Sequence, residues 1–117
     1  MTAATFVTGT WQAHSITSLT TTYSAPSMIL QGNDMDITAQ GQNNALDFYW
    51  SVNGSGSWNP ETIAGQGIIY SAPSMDLNGN EVNITAAGPG GSLLSDWKII
   101  GSGGWTLDTV APAGSVG

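Results

Sequence analysis

Apolar and polar residues alternate in short segments of this chain, and turn residues separate the segments. Met35, Ile37 and Ala39 alternate with Asp36 and Thr38. A period of two predicts a strand with one buried face, because successive side chains of a strand point to opposite sides of a sheet. We therefore predict a strand from Met35 to Ala39.

The same reasoning predicts three more strands in this half of the chain. They cover 27–30, 45–52 and a segment that follows Trp58 and centres on Thr62 and Ile63. The intervening turns, at 31–34, 41–44 and 53–56, contain Asn and Gly, which tolerate the positive φ of hairpin turns. Sixteen Gly and five Pro also argue against helix. The predicted fold class is all-β.

A repeat of 47 residues organises the sequence. The hexapeptide Tyr23–Met28 recurs without change at Tyr70–Met75, and 22 of 47 aligned positions are identical between 23–69 and 70–116. Trp11 lies 47 residues before Trp58, so the N-terminal segment matches the last part of a repeat. We divide the chain into a partial repeat at 1–22 and full repeats at 23–69 and 70–117.

Each full repeat has the size of a β-propeller blade, which contains four antiparallel strands in about 45 residues. A β-sandwich gives no reason for so faithful a repeat, and a β-trefoil needs three copies, of which the third is only half present. Closed propellers have about four to eight blades. We therefore expect the chain to close a ring by homo-oligomerisation, or to be a fragment of a longer parent.

In such a chain the two exposed blade faces would differ, and each would be complementary to the other face on a second chain rather than to its own copy. A contact of this kind adds one chain after another until the chains close a ring. Residues 1–22 would supply outer strands to a blade begun elsewhere. Three chains with two blades each give six, and we favour this trimer over a dimer.

The amino-acid composition narrows the classes of molecule that this chain is expected to bind. Only 8% of residues are charged, the net charge is −7, and Lys98 is the only Lys or Arg. Nucleic acids and anionic membrane surfaces are bound through clusters of Lys and Arg, so neither is expected as a partner. No apolar run approaches the length of about 18 residues that a membrane span needs. The polar surface is largely uncharged and suits sugars.

Other features of the sequence bear on disulfides, on the cellular compartment and on metal binding. Absence of Cys excludes a disulfide framework and a thiolate metal site. The first residues lack the basic start and apolar stretch of a signal peptide, which leaves the compartment open. Segments 33–36 and 78–81 contain oxygen ligands that suit Ca²⁺, but hairpin turns explain them more simply. We expect no metal and no cofactor.

The chain resembles the sugar-binding β-propellers of bacteria, that is, the fucose-binding seven-bladed lectins and their tectonin-like relatives. The matching pieces are Ser24-Ala25-Pro26, Gly41, Asn44-Ala45-Leu46, Phe48-Tyr49-Trp50 and Trp58. This resemblance implies that sugars bind between neighbouring blades, against Trp and Tyr. The second copy departs from the pattern at 90–92 and 94–96, so its site need not be equivalent to the first.

Seven residues are our candidates for sugar binding. The faces of Trp rings bind sugar C–H surfaces, while nearby Asn, Gln and Asp oxygens bind the hydroxyls. The candidates are Trp11, Trp58, Trp105, Tyr49, Asn43, Asn44 and Asp47. The recurring Trp could instead pack between blades, and a half-exposed ring could do both. Tyr49 and Trp50 must point to opposite faces, and we expect Trp50 in the core and Tyr49 more exposed.

Catalysis is not expected. A glycosidase needs two carboxyl groups about 5–10 Å apart, and Asp47 with Glu61 is the pair that could be considered. Most Asp and Glu merely solvate a surface. His14, the only histidine, has no Ser and Asp partners at a recognised spacing.

The sequence thus predicts a lectin without enzymatic activity, for fucose or related neutral or methylated sugars. The alternative is a structural, designed or ancestral propeller fragment whose only activity is self-assembly.

Overall fold

The computed structural model describes residues 2–7, 10–15, 22–52, 57–101 and 103–114, the first two ranges as backbone only. Its strands are β1 (Thr2–Val7), β2 (Thr10–Ser15), β3 (Ser27–Gln31), β4 (Asp34–Gln40), β5 (Leu46–Val52), β6 (Asn59–Ala64), β7 (Ser74–Asn78), β8 (Glu81–Ala87), β9 (Leu93–Ile99) and β10 (Thr106–Ala111). Two single 3-10 turns, Gln42–Asn44 and Pro89–Gly91, precede β5 and β9. Across these ranges, no helix is long and apolar enough to cross a membrane.

The strands form one hairpin and two four-stranded antiparallel sheets. β1 pairs with β2; β3-β4-β5-β6 form sheet 1, and β7-β8-β9-β10 form sheet 2. This confirms the all-β prediction and the four predicted strands, and it is consistent with two blade-like units. The hairpin lies in the predicted partial repeat 1–22. The turn predicted at 53–56 lies outside the described residues.

Sheet 1 and sheet 2 pack face to face, and the main core lies between them. Its buried residues are Leu46, Phe48, Ile69, Met75, Val82, Ile84 and Ala86. The neighbouring strands of the two sheets are β3 and β7, where the backbone N–H of Met75 donates to Ser27 Oγ at 3.0 Å. Because β3 and β7 begin the two repeats, the sheets follow one another in the same order as the repeats.

Each sheet therefore has a cleft face, turned to the other sheet, and a far face. Alternation along paired strands assigns Asp36, Phe48 and Trp50 to the cleft face of sheet 1, and Ile37 and Tyr49 to its far face. On sheet 2, the cleft face carries Met75, Val82, Ile84, Leu94, Asp96 and Lys98, whereas the far face carries Asp76, Asn83, Ser95 and Trp97.

The segment between the sheets is fixed by the turn that precedes β5. The N–H of Gly67 donates to the Asn43 carbonyl at 2.8 Å, and those of Ile68 and Ile69 donate to the Asn44 carbonyl at 2.9 and 3.0 Å. Asn43 and Asn44 adopt φ of 56° and 64°, a left-handed conformation that Asn tolerates better than most residues. These two residues thus couple sheet 1 to the start of sheet 2.

The two repeats differ in exposure at β3 and β7. Met75 is 7% exposed, but its equivalent Met28 is 57% exposed. Leu77 is half-buried, whereas its equivalent Leu30 is 64% exposed. Met75 and Leu77 pack against sheet 1, and the far face of sheet 1 is buried at β4 and β5 but open at β3.

Gly88 is packed too closely for a side chain. A Cβ built at Gly88 would lie 2.5 Å from Ser92 Oγ and 2.7 Å from Leu94 Cδ1, both in buried residues. We expect Gly88→Ala to lower the free energy of unfolding by about 1–3 kcal/mol, the usual cost of overpacking. Gly65→Ala is the control, because a Cβ there meets nothing within 4 Å. Equal chemical denaturation midpoints for the two variants would contradict this packing.

Candidate functional site

A cleft opens between sheet 1 and sheet 2, beside the core. Its volume is about 170 Å³. Three aromatic rings and several polar groups line it. The lining residues are Gln31, Asp34, Asp36, Phe48, Trp50, Glu61, Val82, Lys98, Ile100, Gly101 and Trp105. Residues from both repeats contribute, so the cleft exists only where two sheets meet.

Trp105 forms the aromatic wall contributed by sheet 2. It immediately precedes β10, and its ring meets that of Phe48 edge-on at 5.2 Å between centroids, with an interplanar angle of 63°. The Lys98 ammonium lies 5.9 Å from the Trp105 ring centroid, within cation–π range. The indole Nε1–H is buried and has no hydrogen-bond partner among the described residues. Trp105 therefore offers an unused donor beside the cleft.

Asp36 is the buried carboxyl of the cleft. It lies in β4 directly opposite Trp50 in β5, and only 2% of its surface is exposed. Its Oδ2 has no hydrogen-bond partner within the described part of the chain. The pKa of Asp36 is raised to about 6, mainly by burial and to a smaller extent by the nearby Asp34 carboxylate, while Lys98 opposes the rise. Asp36 thus offers an unused acceptor, or a donor when it is protonated.

The cleft is acidic. Asp34, Asp36 and Glu61 contribute three carboxyl groups, and Lys98 contributes the one ammonium group. Lys98 is also the only Lys or Arg of the whole sequence. Among the described residues, no three His, Cys, Asp or Glu are arranged to hold a metal ion. The arrangement suits a ligand with hydroxyl groups and no negative charge.

A second buried carboxyl, Asp96, lies on the cleft face of sheet 2 but outside the cleft lining. It is 3% exposed, and its Oδ1 has no hydrogen-bond partner in the part of the chain that the structure describes. Its pKa is raised to about 6, mainly by burial and to a smaller extent by Asp108. Asp96 occupies the position that Tyr49 holds in the first repeat.

Of the six predicted sugar-binding residues whose side chains the structure describes, only Trp105 lines this cleft. Trp58, its equivalent, immediately precedes β6 and is half-buried. Asn43 and Asn44 lie in the turn before β5, where Asn44 Oδ1 accepts a bond from Gln40 Nε2 at 2.7 Å. Trp11 lies in β2, and its side chain is outside the described residues.

Asp47 points away from the cleft. It pairs with Thr62 in β6, whereas the adjacent Phe48 pairs with Glu61, so the Asp47 and Glu61 side chains emerge on opposite faces of sheet 1. Burial raises the pKa of Asp47, and a hydrogen bond with the Thr62 side chain opposes that rise. These two carboxyl groups therefore do not face one another across a common pocket.

Our expectation for Tyr49 and Trp50 was wrong. Tyr49 is 6% exposed, whereas Trp50 is 37% exposed and lines the cleft. Tyr49 lies opposite Ile37 on the buried far face of sheet 1, which gives its ring an apolar environment. Trp50 lies opposite Asp36 on the cleft face. Alternation predicts that the two rings point to opposite faces of the sheet, but it does not predict which of those faces is more exposed.

Sequence reasoning missed most of the cleft. The missed residues are Gln31, Asp34, Asp36, Phe48, Trp50, Glu61, Val82, Lys98, Ile100 and Gly101. One signal was the carboxyl group of Asp36 within a predicted strand, at a position where the second repeat has the uncharged Asn83. Lys98 was the other, as the one cation in a chain with eight acidic residues.

A scan of protein-family models and a search of curated proteins found no match. Nine chains among the solved structures are similar to this one. One is described as a fucose lectin from Kordia zhangzhouensis in complex with methyl-fucoside. It is 14% identical, the alignment covers 95% of this chain and 82% of that one, and the TM-score is 0.68. At this identity the similarity shows the fold alone.

Proposed function

We propose that this chain is a carbohydrate-binding lectin without catalytic activity, and that a sugar binds in the cleft between the two sheets. The observation that carries the proposal is a pair of buried polar atoms with no hydrogen-bond partner among the described residues, Trp105 Nε1–H and Asp36 Oδ2. A sugar hydroxyl both accepts and donates, so hydroxyl groups of a bound sugar have the chemistry to pair with each of these atoms. Trp50 and Trp105 supply apolar ring surface for the sugar C–H groups.

Fold-level similarity supports the same class of ligand, since one similar structure is a fucose lectin with methyl-fucoside bound. Fucose and related neutral or methylated sugars are therefore the first to test. Of the remaining candidates, Trp58 is the equivalent of Trp105 and would form part of an equivalent site on the far face of sheet 1. Tyr49 and Asp47 stay candidates on that face, although their equivalents, Asp96 and Leu94, do not line the cleft. Trp11, Asn43 and Asn44 also stay candidates for sugar binding.

Binding can be tested at the indole nitrogen. We expect Trp105→Phe to weaken sugar binding about tenfold, because it removes the N–H donor while it keeps an aromatic ring against Phe48. A glycan array identifies the sugar, and titration followed by NMR or calorimetry measures the affinity. Tyr70→Phe is the control, since it removes a polar group from an exposed ring outside the cleft. Failure of every sugar to bind at millimolar concentration would contradict the proposal.

We also propose that several identical chains associate to close a propeller. Met28 and Leu30 are the equivalents of Met75 and Leu77, which a neighbouring sheet covers within this chain. A second copy would cover Met28 and Leu30 in the same way, with the far face of its sheet 2. Three chains would supply six four-stranded sheets, and we favour this number over two chains.

The alternative is a module whose only activity is self-assembly. It is favoured by one observation, the edge-on packing of Trp105 on Phe48, which makes this ring part of the junction between the sheets. In that case Trp105→Ala or Trp58→Ala would abolish folding. Trp105→Phe would change only the stability of the fold, because there would be no sugar binding to lose. Loss of sugar affinity in a variant that stays folded would favour the lectin.

A further inference from the structure

The distribution of charge in the cleft narrows the ligand beyond a neutral sugar. Asp34, Asp36 and Glu61 line it, against the single ammonium of Lys98. A group of acidic residues is not a site in itself, since exposed carboxylates are usually well solvated. Asp36 is different, because it is 2% exposed, lines the cavity and leaves Oδ2 without a partner among the described residues. A buried acceptor of this kind needs a hydrogen-bond donor, which a ligand in the cleft can supply.

The ammonium group of Lys98 marks the position of a positive charge in this cleft. Its ammonium lies 5.9 Å from the Trp105 ring centroid and is close enough to Asp36 to oppose the rise in that carboxyl's pKa. Even so, no described hydrogen bond joins Lys98 to Asp36 Oδ2. The cleft therefore attracts positive charge through an aromatic face and carboxyl groups, and its resident cation leaves the buried acceptor unused.

We propose that the cleft preferentially binds sugars that carry a free, protonated amine, with the amine donating to Asp36 and competing with the Lys98 ammonium. The inference rests on the proposed function, because the sugar ring is still held by Trp50, Trp105 and its hydroxyl groups. An amine has three donors and a positive charge, and a hydrogen bond between charged groups is about twice as strong as a neutral one. Acidic sugars meet repulsion instead.

The test compares sugars that differ at one substituent. Glucose and galactose are each titrated in four forms, with a hydroxyl, an N-acetylamino group, a free amine or a uronic acid, at about pH 7 and low salt. We expect the amino form to bind about tenfold tighter than the hydroxyl and N-acetylamino forms, which is about 1.4 kcal/mol. The uronic acid should bind most weakly.

Two cleft variants separate the contributions. Asp36→Asn should remove the preference for the amine, and it copies the residue that the second repeat has at Asn83. Lys98→Gln should raise affinity for amino sugars a few-fold, because it removes a competing cation. The control Asp76→Asn removes an exposed carboxylate outside the cleft and should change neither.

Each result has one meaning. Equal affinity for the amino and N-acetylamino forms, or a preference that survives Asp36→Asn, overturns this inference while the lectin proposal stands. No binding of any form of either sugar, or of the neutral sugars on an array, overturns the lectin proposal itself. Binding of methylamine as tightly as of the amino sugars would show that the cleft recognises an amine alone, and this too overturns the inference.

Discussion

Met28→Asp is expected to convert an associating protein into a folded monomer, whereas Met75→Asp should prevent folding. The two residues occupy the same position in successive repeats, but Met75 is 7% exposed and Met28 is 57% exposed. Met75 belongs to the core between the sheets. A charge buried there without a partner costs several kcal/mol, enough to unfold a domain of ordinary stability.

Met28 carries the opposite expectation because nothing in the described chain covers it to the same extent. If a second copy buries Met28 as sheet 1 buries Met75, a charge there weakens association and leaves the folded chain intact. Light scattering should show the unmodified protein as one discrete species of two or three chains, with three favoured. Its thermal midpoint should rise with protein concentration, because folding and association are then linked.

Gln66→Asp is a suitable control, since it adds the same charge at an exposed position between β6 and β7. It should leave the mass of the assembly unchanged. An unmodified protein that is a monomer with a concentration-independent midpoint would contradict the ring. A Met28→Asp variant of unchanged mass would show instead that this surface is not the interface.

The sequence predicted the strands well because two independent signals agreed. The alternation around Ile37 and the turns that contain Asn and Gly predict β3 to β6, and the 47-residue repeat extends the same assignments to β7 to β10. Even the turn at Asn43 and Asn44 was expected from residues that tolerate positive φ. Its second role was not visible, because the bonds from Gly67, Ile68 and Ile69 join segments more than twenty residues apart.

The site was harder to predict, since a cleft between two sheets depends on which face of each sheet meets the other. The period of two places Tyr49 and Trp50 on opposite faces of the sheet, but it does not indicate which of the two faces lines the cleft. Only the packing of sheet 2 against sheet 1 decides that Trp50 lines the cleft and that Tyr49 lies away from it. The repeat favours the wrong choice, because Trp50 recurs as Trp97 whereas Tyr49 is replaced by Asp96, a pattern that points to Trp50 as the core residue.

The second large effect concerns the pH dependence of stability. Asp36 and Asp96 each have a pKa of about 6 in the folded protein, against an ordinary value of 3.8, and burial is the main cause for both. Between these two values the folded protein keeps protons that the unfolded chain has already released. The free energy of unfolding therefore falls as pH rises from about 4 to about 6, and it stays lower above that range.

Each carboxyl should lower stability at neutral pH by an amount on the order of 1–3 kcal/mol relative to its protonated form. We expect Asp36→Asn and Asp96→Asn each to raise the free energy of unfolding at about pH 7, by about 1 kcal/mol or more. Near pH 4 the gain should vanish, because the carboxyl is then neutral as well. Denaturation at one fixed protein concentration, at both pH values, measures the difference.

Asp76→Asn is the matched control, because it removes an exposed carboxylate, and its effect should be within about 0.5 kcal/mol at either pH. Stability that rises steadily from about pH 4 to about pH 7, or variants with the same effect at both values, would contradict the prediction. The position itself does not require the acid, since the second repeat has Asn83 where the first has Asp36. If Asp36→Asn gains stability and loses affinity for amino sugars, the buried carboxyl serves binding at the expense of folding, a trade-off common at functional sites.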